Sequence, residues 1–116
     1  MSTNHFAIDC ACRMAAKAQE TNTRHLVILT HPEDSDDVRR YVVGGLPLGS
    51  SSTGAVWTTP DGHTVSIKRY TDPVPEYPHS FALEVCNGGR SMTKDDHDNL
   101  QRWQESGPQP LPFVAP

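Results

Sequence analysis

The stretch GAVWTTPDGHTVSIKRY, residues 54–70, decides the fold because turn chemistry and side-chain alternation agree within it. Pro60 and Asp61 suit the central positions of a tight turn, and Gly62 can adopt the positive φ that closes a three-residue loop with a bulge. Counting outward from the turn predicts a β-hairpin in one register. The expected pairs are Thr59 with His63, Thr58 with Thr64, Trp57 with Val65, Val56 with Ser66, and Ala55 with Ile67.

The two faces of this hairpin differ in chemistry. Trp57 and Val65 lie on an apolar face that suits a core, whereas the opposite face is mostly hydroxylic. The sequence pattern assigns no helix to cover the hydroxylic face. We therefore expect this face to be a docking surface for a partner, with contacts from Thr58, Thr64 and Lys68.

Length and composition limit the architecture. A chain of 116 residues has room for one domain, and a content of 35% hydrophobic and 21% charged residues is polar without favouring disorder. We expect a single globular α+β domain over residues 1–107 and a proline-rich tail over 108–116. The formal net charge of -4 argues against a nucleic-acid-binding surface and is compatible with a basic partner.

The sequence also bears on the cellular compartment. It has no apolar run of the ~20 residues that a membrane helix needs, and its first residues lack the basic-then-apolar order of a signal peptide. Three cysteines cannot all pair, and Cys10 and Cys12 are too close in sequence to staple a fold, so reduced thiols are expected. We predict a cytoplasmic location without membrane contact.

The first half of the chain supplies two helices and a strand. Small apolar residues at helical spacing predict a helix over 5–19, and a short run of branched apolar residues predicts a central strand over 25–30. The acidic segment 32–37 is typical of the first turn of a second helix, which Gly44 and Gly45 end. A loop rich in Gly, Pro and Ser is expected over 44–53.

The second half adds a strand and a helix. Clean alternation of apolar and polar residues predicts a third antiparallel strand, half buried, over 79–86. Thr93 and Asp96 have the spacing of a capping box, which begins a last helix that runs to about residue 105. This helix is sparsely apolar, so we expect it at the edge of the core.

Together these elements predict an α+β fold, with a four-stranded, mostly antiparallel sheet and three helices, two of which cover one face. The strands are expected near 25–30, 54–59, 63–70 and 79–86, with the 54–70 hairpin in the middle of the sheet. The expected core consists of Ile8, Ala11, Ala15, Leu26, Val27, Ile28, Leu29, Val38, Tyr41, Val42, Trp57, Val65, Ile67, Phe81, Leu83, Val85, Leu100 and Trp103.

Two acidic segments are the main candidates for function. They can serve simply as charged helix starts, and they can also dock onto a basic partner. The candidate contacts are Asp34, Asp36, Asp37, Asp95 and Asp96, and the candidate aromatic anchors are Tyr70, Tyr77 and Phe113. This combination favours a small, non-enzymatic regulator or inhibitor, of the kind that phages or mobile elements use to block a nucleic-acid-handling host protein.

A small enzyme is the first alternative. Cys86 and His79 stand at opposite ends of one predicted strand and His97 lies in the last helix, so a Cys–His pair is conceivable. The cysteine and histidine spacings typical of zinc sites are absent from the sequence, and we expect neither a metal nor a cofactor.

An RNA-binding module is the second alternative. A helix, three strands and a final helix follow one another in the second half, which resembles the element order of a double-stranded-RNA-binding domain. In that family the final helix presents lysines to phosphates, whereas this chain has the acidic stretch KDDHD at residues 94–98. The basic residues that would contact RNA are Lys68, Arg69 and Arg90.

Overall fold

Three α-helices and five strands form in the part of the chain that the computed structural model describes, residues 3–76 and 80–108. A short 3-10 helix, Val42–Gly45, directly follows the second α-helix. In chain order the elements are α1 (His5–Glu20), β1 (His25–Thr30), α2 (Ser35–Tyr41), β2 (Ser51–Thr53), β3 (Val56–Thr58), β4 (Thr64–Arg69), β5 (Ala82–Cys86) and α3 (Lys94–Gln104).

The hairpin formed by β3 and β4 has the register that the sequence predicts. Trp57 lies opposite Val65, and the neighbouring pairs follow the same count. Gly62 adopts a φ of +85°, and its backbone N–H donates to the Thr59 carbonyl at 2.9 Å, which closes the turn. The strands themselves are shorter than expected, because the pairing ends at Val56 and at Arg69.

The sheet as a whole differs from the expectation of four mostly antiparallel strands. It has five strands in the order β2-β3-β4-β1-β5, and β1 is parallel to both of its neighbours. The segment expected to be a third antiparallel strand is therefore β5, which pairs with β1 and not with the hairpin. Alternation identifies a strand and its two faces, but it does not identify the partner or the direction of pairing.

The additional strand, β2, lies within the segment expected to be a loop. Its three residues are exposed, and they pair antiparallel with β3 at the edge of the sheet. A run of Ser and Thr next to Gly carries no apolar alternation, so nothing in its pattern separates a short edge strand from a loop.

Helices cover the two faces of the sheet unequally. α1 and α2 pack on one face, as expected, and small side chains such as Ala11 and Ala15 let α1 lie close to the strands. On the other face, Trp103 of α3 joins a smaller apolar cluster with Val27 and Leu29. Tyr41 was expected in the core, but it is 47% exposed.

A disulfide joins α1 to the end of β5, which corrects the expectation of reduced thiols. Cys10 and Cys86 have their Cα atoms 5.7 Å apart, within the usual range for a disulfide, and Cys12 remains free. The two partners lie 76 residues apart in sequence, so only the tertiary fold brings them together.

Candidate functional site

The carboxyl ends of three parallel strands meet at one edge of the sheet, here named the carboxyl edge. The acidic start of α2 follows the end of β1, and the acidic start of α3 follows the end of β5 through a short loop. Asp34 and Asp96 both act electrostatically on the hydroxyl of Tyr70, so both helix starts lie near this residue. The fold therefore brings the two predicted acidic segments to the same edge.

Asp34 is the best-held group at this edge. Its carboxylate accepts hydrogen bonds from Arg90 Nε at 2.7 Å and from the Arg90 terminal nitrogen at 2.8 Å. This two-point contact keeps the pKa of Asp34 below its usual value, against the opposing effect of burial. Arg90 also pairs with Glu33 at 3.0 Å. Since Asp34 is only 2% exposed and already paired, it holds the fold rather than facing a partner.

Asn4 connects this ion pair to α1. Its side-chain oxygen accepts the backbone N–H of Ala7 and caps the helix, while its amide nitrogen donates to Asp34 at 3.2 Å and to the Gly88 carbonyl at 3.0 Å. Gly88 has a φ of +66°, and a Cβ there would lie 2.8 Å from the Asn4 Cγ. Asn4, Glu33, Asp34, Gly88 and Arg90 thus form one polar unit, named the Asp34 cluster, which joins three segments.

Tyr70 lies at the carboxyl edge, directly after the end of β4. The residue is fully buried, and its hydroxyl donates to the side-chain oxygen of Asn87 at 2.6 Å. Burial, with the nearby carboxylates adding to it, raises the pKa of Tyr70 far above its ordinary value. Tyr70 is therefore a core residue and not the exposed anchor that the sequence suggests, and the other two candidate anchors, Tyr77 and Phe113, lie outside the described residues.

The remaining acids at this edge are differently placed. Asp96 completes the predicted capping box, because its carboxylate accepts the Thr93 backbone N–H at 3.0 Å. Asp36 and Asp95 are exposed and Asp37 is half buried. Among the residues that the structure describes, no ion pair involves any of these last three. They are the carboxylates that a partner can reach.

Exposed apolar side chains follow the same acidic helix start. Tyr41 ends α2, Val43 is 54% exposed in the 3-10 helix, and Leu48 is 98% exposed beyond it. The helical spacing in the sequence already indicates that Tyr41 is exposed. Val38 and Val42, four apart, define the buried stripe of the helix, and Tyr41 lies about 100° away from Val42.

The hydroxylic face of the hairpin does not form one site with these acids. Thr58 is exposed at the turn end of the hairpin, and the hydroxyl of Thr64 is within 2.8 Å of His25 Nδ1. Lys68, half buried, lies at the opposite end of β4, near the carboxyl edge. The three residues share a face of the sheet, but only Lys68 is close to the acidic segments.

The structure does not assemble the Cys–His pair of the alternative enzyme site among the residues that it describes. Cys86 is 1% exposed and is bonded to Cys10, and a sulfur in a disulfide offers no free thiolate. His97 is exposed on α3, and His79 lies outside the described residues. The expected Cys–His pair would need Cys86 in its reduced form.

The candidate RNA contacts are largely neutralised. Arg69 forms an ion pair with Asp72 at 3.0 Å, and Arg90 belongs to the Asp34 cluster. In addition, β1 lies between β4 and β5, so the resemblance in element order to a double-stranded-RNA-binding domain does not extend to the sheet.

Comparison of this chain with protein-family models, with curated proteins and with solved structures finds no match. Within residues 3–76 and 80–108, no three His, Cys, Asp or Glu side chains are grouped in a way that could hold a metal ion. Over the same ranges, none of the helices has the length and apolar character needed to cross a bilayer. Proposals about function rest on the geometry of the carboxyl edge.

Proposed function

We propose that this protein is a non-enzymatic regulator or inhibitor that docks its carboxyl edge onto a basic surface of another protein. The observation that supports this proposal best is the convergence of two acidic helix starts on one edge of the sheet. Asp36 and Asp95, which are exposed, come from helices that start far apart in the chain. Parallel pairing of β1 with β5 brings both helix starts to the carboxyl edge, and because α2 and α3 lie on opposite faces of the sheet, the proposed partner contacts this edge from both faces.

The carboxylates at the carboxyl edge fall into a paired group and an unpaired group, and this difference supports the proposed function. Glu33 and Asp34 form ion pairs with Arg90, whereas Asp36, Asp37 and Asp95 form no ion pair among the described residues. A surface with several like charges attracts a basic partner from a distance and accelerates their encounter. In this proposal the Asp34 cluster fixes the segments that lead into α2 and α3, and so positions the unpaired carboxylates.

Apolar contact is the second requirement of a stable interface. Tyr41 and Val43 are about half exposed beyond the acidic first turn, Tyr41 as the last residue of α2 and Val43 in the 3-10 helix that follows. Aromatic residues surrounded by polar groups are typical anchors at protein interfaces. In this proposal the acids steer and orient the partner, and Tyr41 supplies the buried contact that slows dissociation.

The kind of partner follows from the charge. A protein with an extended basic groove, such as one that handles nucleic acid, presents the complementary surface, and an acidic domain bound there would compete with the nucleic acid. An anti-defence role in a phage or mobile element fits this mode of inhibition. It would require action in the cytoplasm, a compartment in which the Cys10–Cys86 disulfide is exceptional. Both remain parts of the proposal.

The experiment compares charge reversal at the two edges of the molecule. The variant Asp36→Lys/Asp95→Lys reverses the proposed surface without touching the Asp34 cluster or the Asp96 cap. The matched control Glu20→Lys/Glu105→Lys makes the same change in net charge at exposed positions that end α1 and α3. Each tagged protein is used to capture partners from native cells. The captured partners are identified by mass spectrometry and then purified for binding measurements.

We expect the captured partner to bind the carboxyl-edge variant at least tenfold more weakly than the control at low salt. The difference should shrink as salt rises, because screening weakens exposed charge pairs. Equal binding of the wild type and both variants at low salt would refute docking through this edge. Circular dichroism of each variant establishes that the fold is retained.

A further inference from the structure

The amino ends of the parallel strands, opposite the carboxyl edge, form a groove of about 600 Å³. The last turns of α1 form one wall through Gln19, and the segment from Gly44 to Pro47 forms another. The hairpin turn at Asp61 and the short connection that contains Arg24 complete it. Its volume falls in the range of small-molecule sites.

The polar floor of this groove consists of the buried His63 and the two amide side chains that contact it, the half-buried Gln19 and the exposed Asn22. His63 is only 6% exposed, and its ring lies between two amides, with Nδ1 3.0 Å from Gln19 Oε1 and Nε2 3.1 Å from Asn22 Oδ1. Its backbone N–H donates to the Thr59 hydroxyl at 3.0 Å. The histidine is thus fixed in one orientation by partners from α1, from the following connection and from the hairpin.

One atom of this floor is left without a protein partner. Gln19 Nε2 is buried and makes no hydrogen bond in the structure. Turning the amide over would only exchange the buried, unpartnered nitrogen for a buried, unpartnered oxygen, because a single Gln19 atom contacts His63. A buried amide nitrogen without a partner is destabilising, so a ligand atom that bonds to it when the Gln19 side chain rotates toward the groove gains affinity.

Two opposite charges stand at the same groove. Arg24 and Asp61 are both exposed, and both line it. Neither takes part in an ion pair among the described residues. Arg24 lies against the hairpin turn that carries Asp61, since a Cβ on Gly62 would lie 3.9 Å from the Arg24 guanidinium, and the Arg24 carbonyl accepts the Thr64 backbone N–H at 2.7 Å.

We propose that this groove binds a small zwitterionic ligand of the free-amino-acid or dipeptide class. The guanidinium of Arg24 binds the ligand's carboxylate, and the carboxylate of Asp61 binds its ammonium group. Leu46 and Pro47 provide an apolar wall for the ligand's side chain, and Gln19 supplies the inner hydrogen bond. This site lies at the other end of the strands from the carboxyl edge. Its wall from Gly44 to Pro47 follows Val43 directly, but the two charged groups that bind the ligand, Arg24 and Asp61, do not belong to the partner surface proposed above.

Ligand binding is tested on the full chain with the common free L-amino acids and the unblocked dipeptides Gly-Leu and Leu-Gly. Each probe is screened by its effect on Tm, because a ligand that binds only the folded state raises it. Probes that raise Tm are then titrated while amide NMR shifts are recorded. We expect the largest shifts at Gln19, Asn22 and His63.

Single-charge analogues and variants identify the binding mode. N-acetyl-leucine lacks the ammonium group and leucinamide lacks the carboxylate, so each should bind at least tenfold more weakly than the corresponding zwitterion. Arg24→Ala and Asp61→Asn should weaken zwitterion binding by a similar factor, because both side chains are exposed and their loss leaves the core intact. Arg40→Ala, exposed on α2, is the matched control and should bind normally.

Three results would overturn the proposal. The first is that no probe at millimolar concentration changes Tm or the groove resonances. The second is that the blocked analogues bind as well as the zwitterions, and the third is that Arg24→Ala and Asp61→Asn bind as the Arg40→Ala control does. None of these results bears on docking through the carboxyl edge, which is tested by other variants and another readout.

Discussion

Arg90 shows how a residue's role depends on what the fold places next to it. In the sequence it is one of few basic residues near the end of the chain, and it fits an RNA contact. In the structure its guanidinium spans Glu33 and Asp34, more than fifty residues earlier in the chain. Asp34, one of five carboxylates that look alike in sequence, becomes a buried structural group for the same reason.

A pH dependence follows from this pair. Arg90 lowers the pKa of Asp34 in the folded state, so the unfolded chain binds the proton more readily. The resulting stability is fully present above the unfolded pKa of about 3.9 and is lost as pH falls through the lower folded pKa. We expect Arg90→Gln to lower the free energy of unfolding at neutral pH, and its difference from wild type to narrow as pH falls below about 4.

Urea unfolding at a series of pH values measures this difference. Arg13→Gln is the control, because its ion pair with Asp9 joins two side chains that are 68% and 70% exposed. Such surface pairs contribute little to stability. A gap between Arg90→Gln and wild type that stays constant down to the acid limit would show that the pairing of Asp34 does not depend on its charge.

At the scale of elements, helix α1 and the 3-10 helix after α2 approach each other backbone to backbone. A Cβ at Gly45 would lie 2.8 Å from the Cα of Cys12, and main-chain atoms cannot move aside as a flexible side chain can. A Cβ at the neighbouring Gly44 would meet only the Cys12 sulfur, at an ordinary 3.9 Å. The two adjacent glycines, equivalent in sequence, thus form a matched pair.

We expect Gly45→Ala to destabilise the fold by about 1–3 kcal/mol, as overpacking in a close contact does. Gly44→Ala should change the free energy of unfolding by less than about 1 kcal/mol. Chemical denaturation of both variants under one set of conditions gives the comparison. Equal stability of the two would mean that α1 can shift away from the 3-10 helix without cost.

At the scale of elements, the sequence predicts correctly those features that depend on local signals. The hairpin register follows from local chemistry, since Pro60, Asp61 and Gly62 fix the turn and the pairing propagates from it. The 25–30 strand and the capping box at Thr93 are also local signals, and both are confirmed. The direction of β5 is not local, because it depends on a connection from β4 that crosses β1 to reach the far side.

At the scale of the whole molecule, the disulfide between Cys10 and Cys86 ties the first helix to the last strand. Closing a loop of this length restricts the unfolded chain, and the chain-entropy estimate of the effect is about 4 kcal/mol. We expect the double variant Cys10→Ser/Cys86→Ser, or the reduced wild-type protein, to lose stability of that order. Urea unfolding with and without a reductant measures it.

Cys12→Ser is the appropriate control, because the Cys12 thiol is free and its loss leaves the cross-link intact. It should respond to the reductant as the wild type does. Insensitivity of the wild type to reductant would show that the two sulfurs are not bonded in solution.

The candidate sites can also be recognised only at the scale of the whole molecule. The sequence identifies acidic segments, but it cannot tell that Asp36 and Asp95 share an edge, because the parallel pairing of β1 and β5 creates that edge. The groove at the amino ends of the parallel strands is still harder to predict from the sequence. His63 and Asp61 look like ordinary turn residues, and only the fold sets Gln19 and Arg24 beside them.

The interior position of β1, between β4 and β5, has a consequence for how the chain assembles during synthesis. β1 emerges from the ribosome early, yet one of its hydrogen-bonding neighbours is β4 and the other is β5, which comes last of all the strands. Until both have been made, the apolar run His25–Thr30 has two open sides, and contacts between such distant segments form slowly. We therefore expect a nascent chain of this protein to expose β1 until β4 and β5 have been made, and protection of β1 by α1 or by a chaperone would reduce aggregation during that interval.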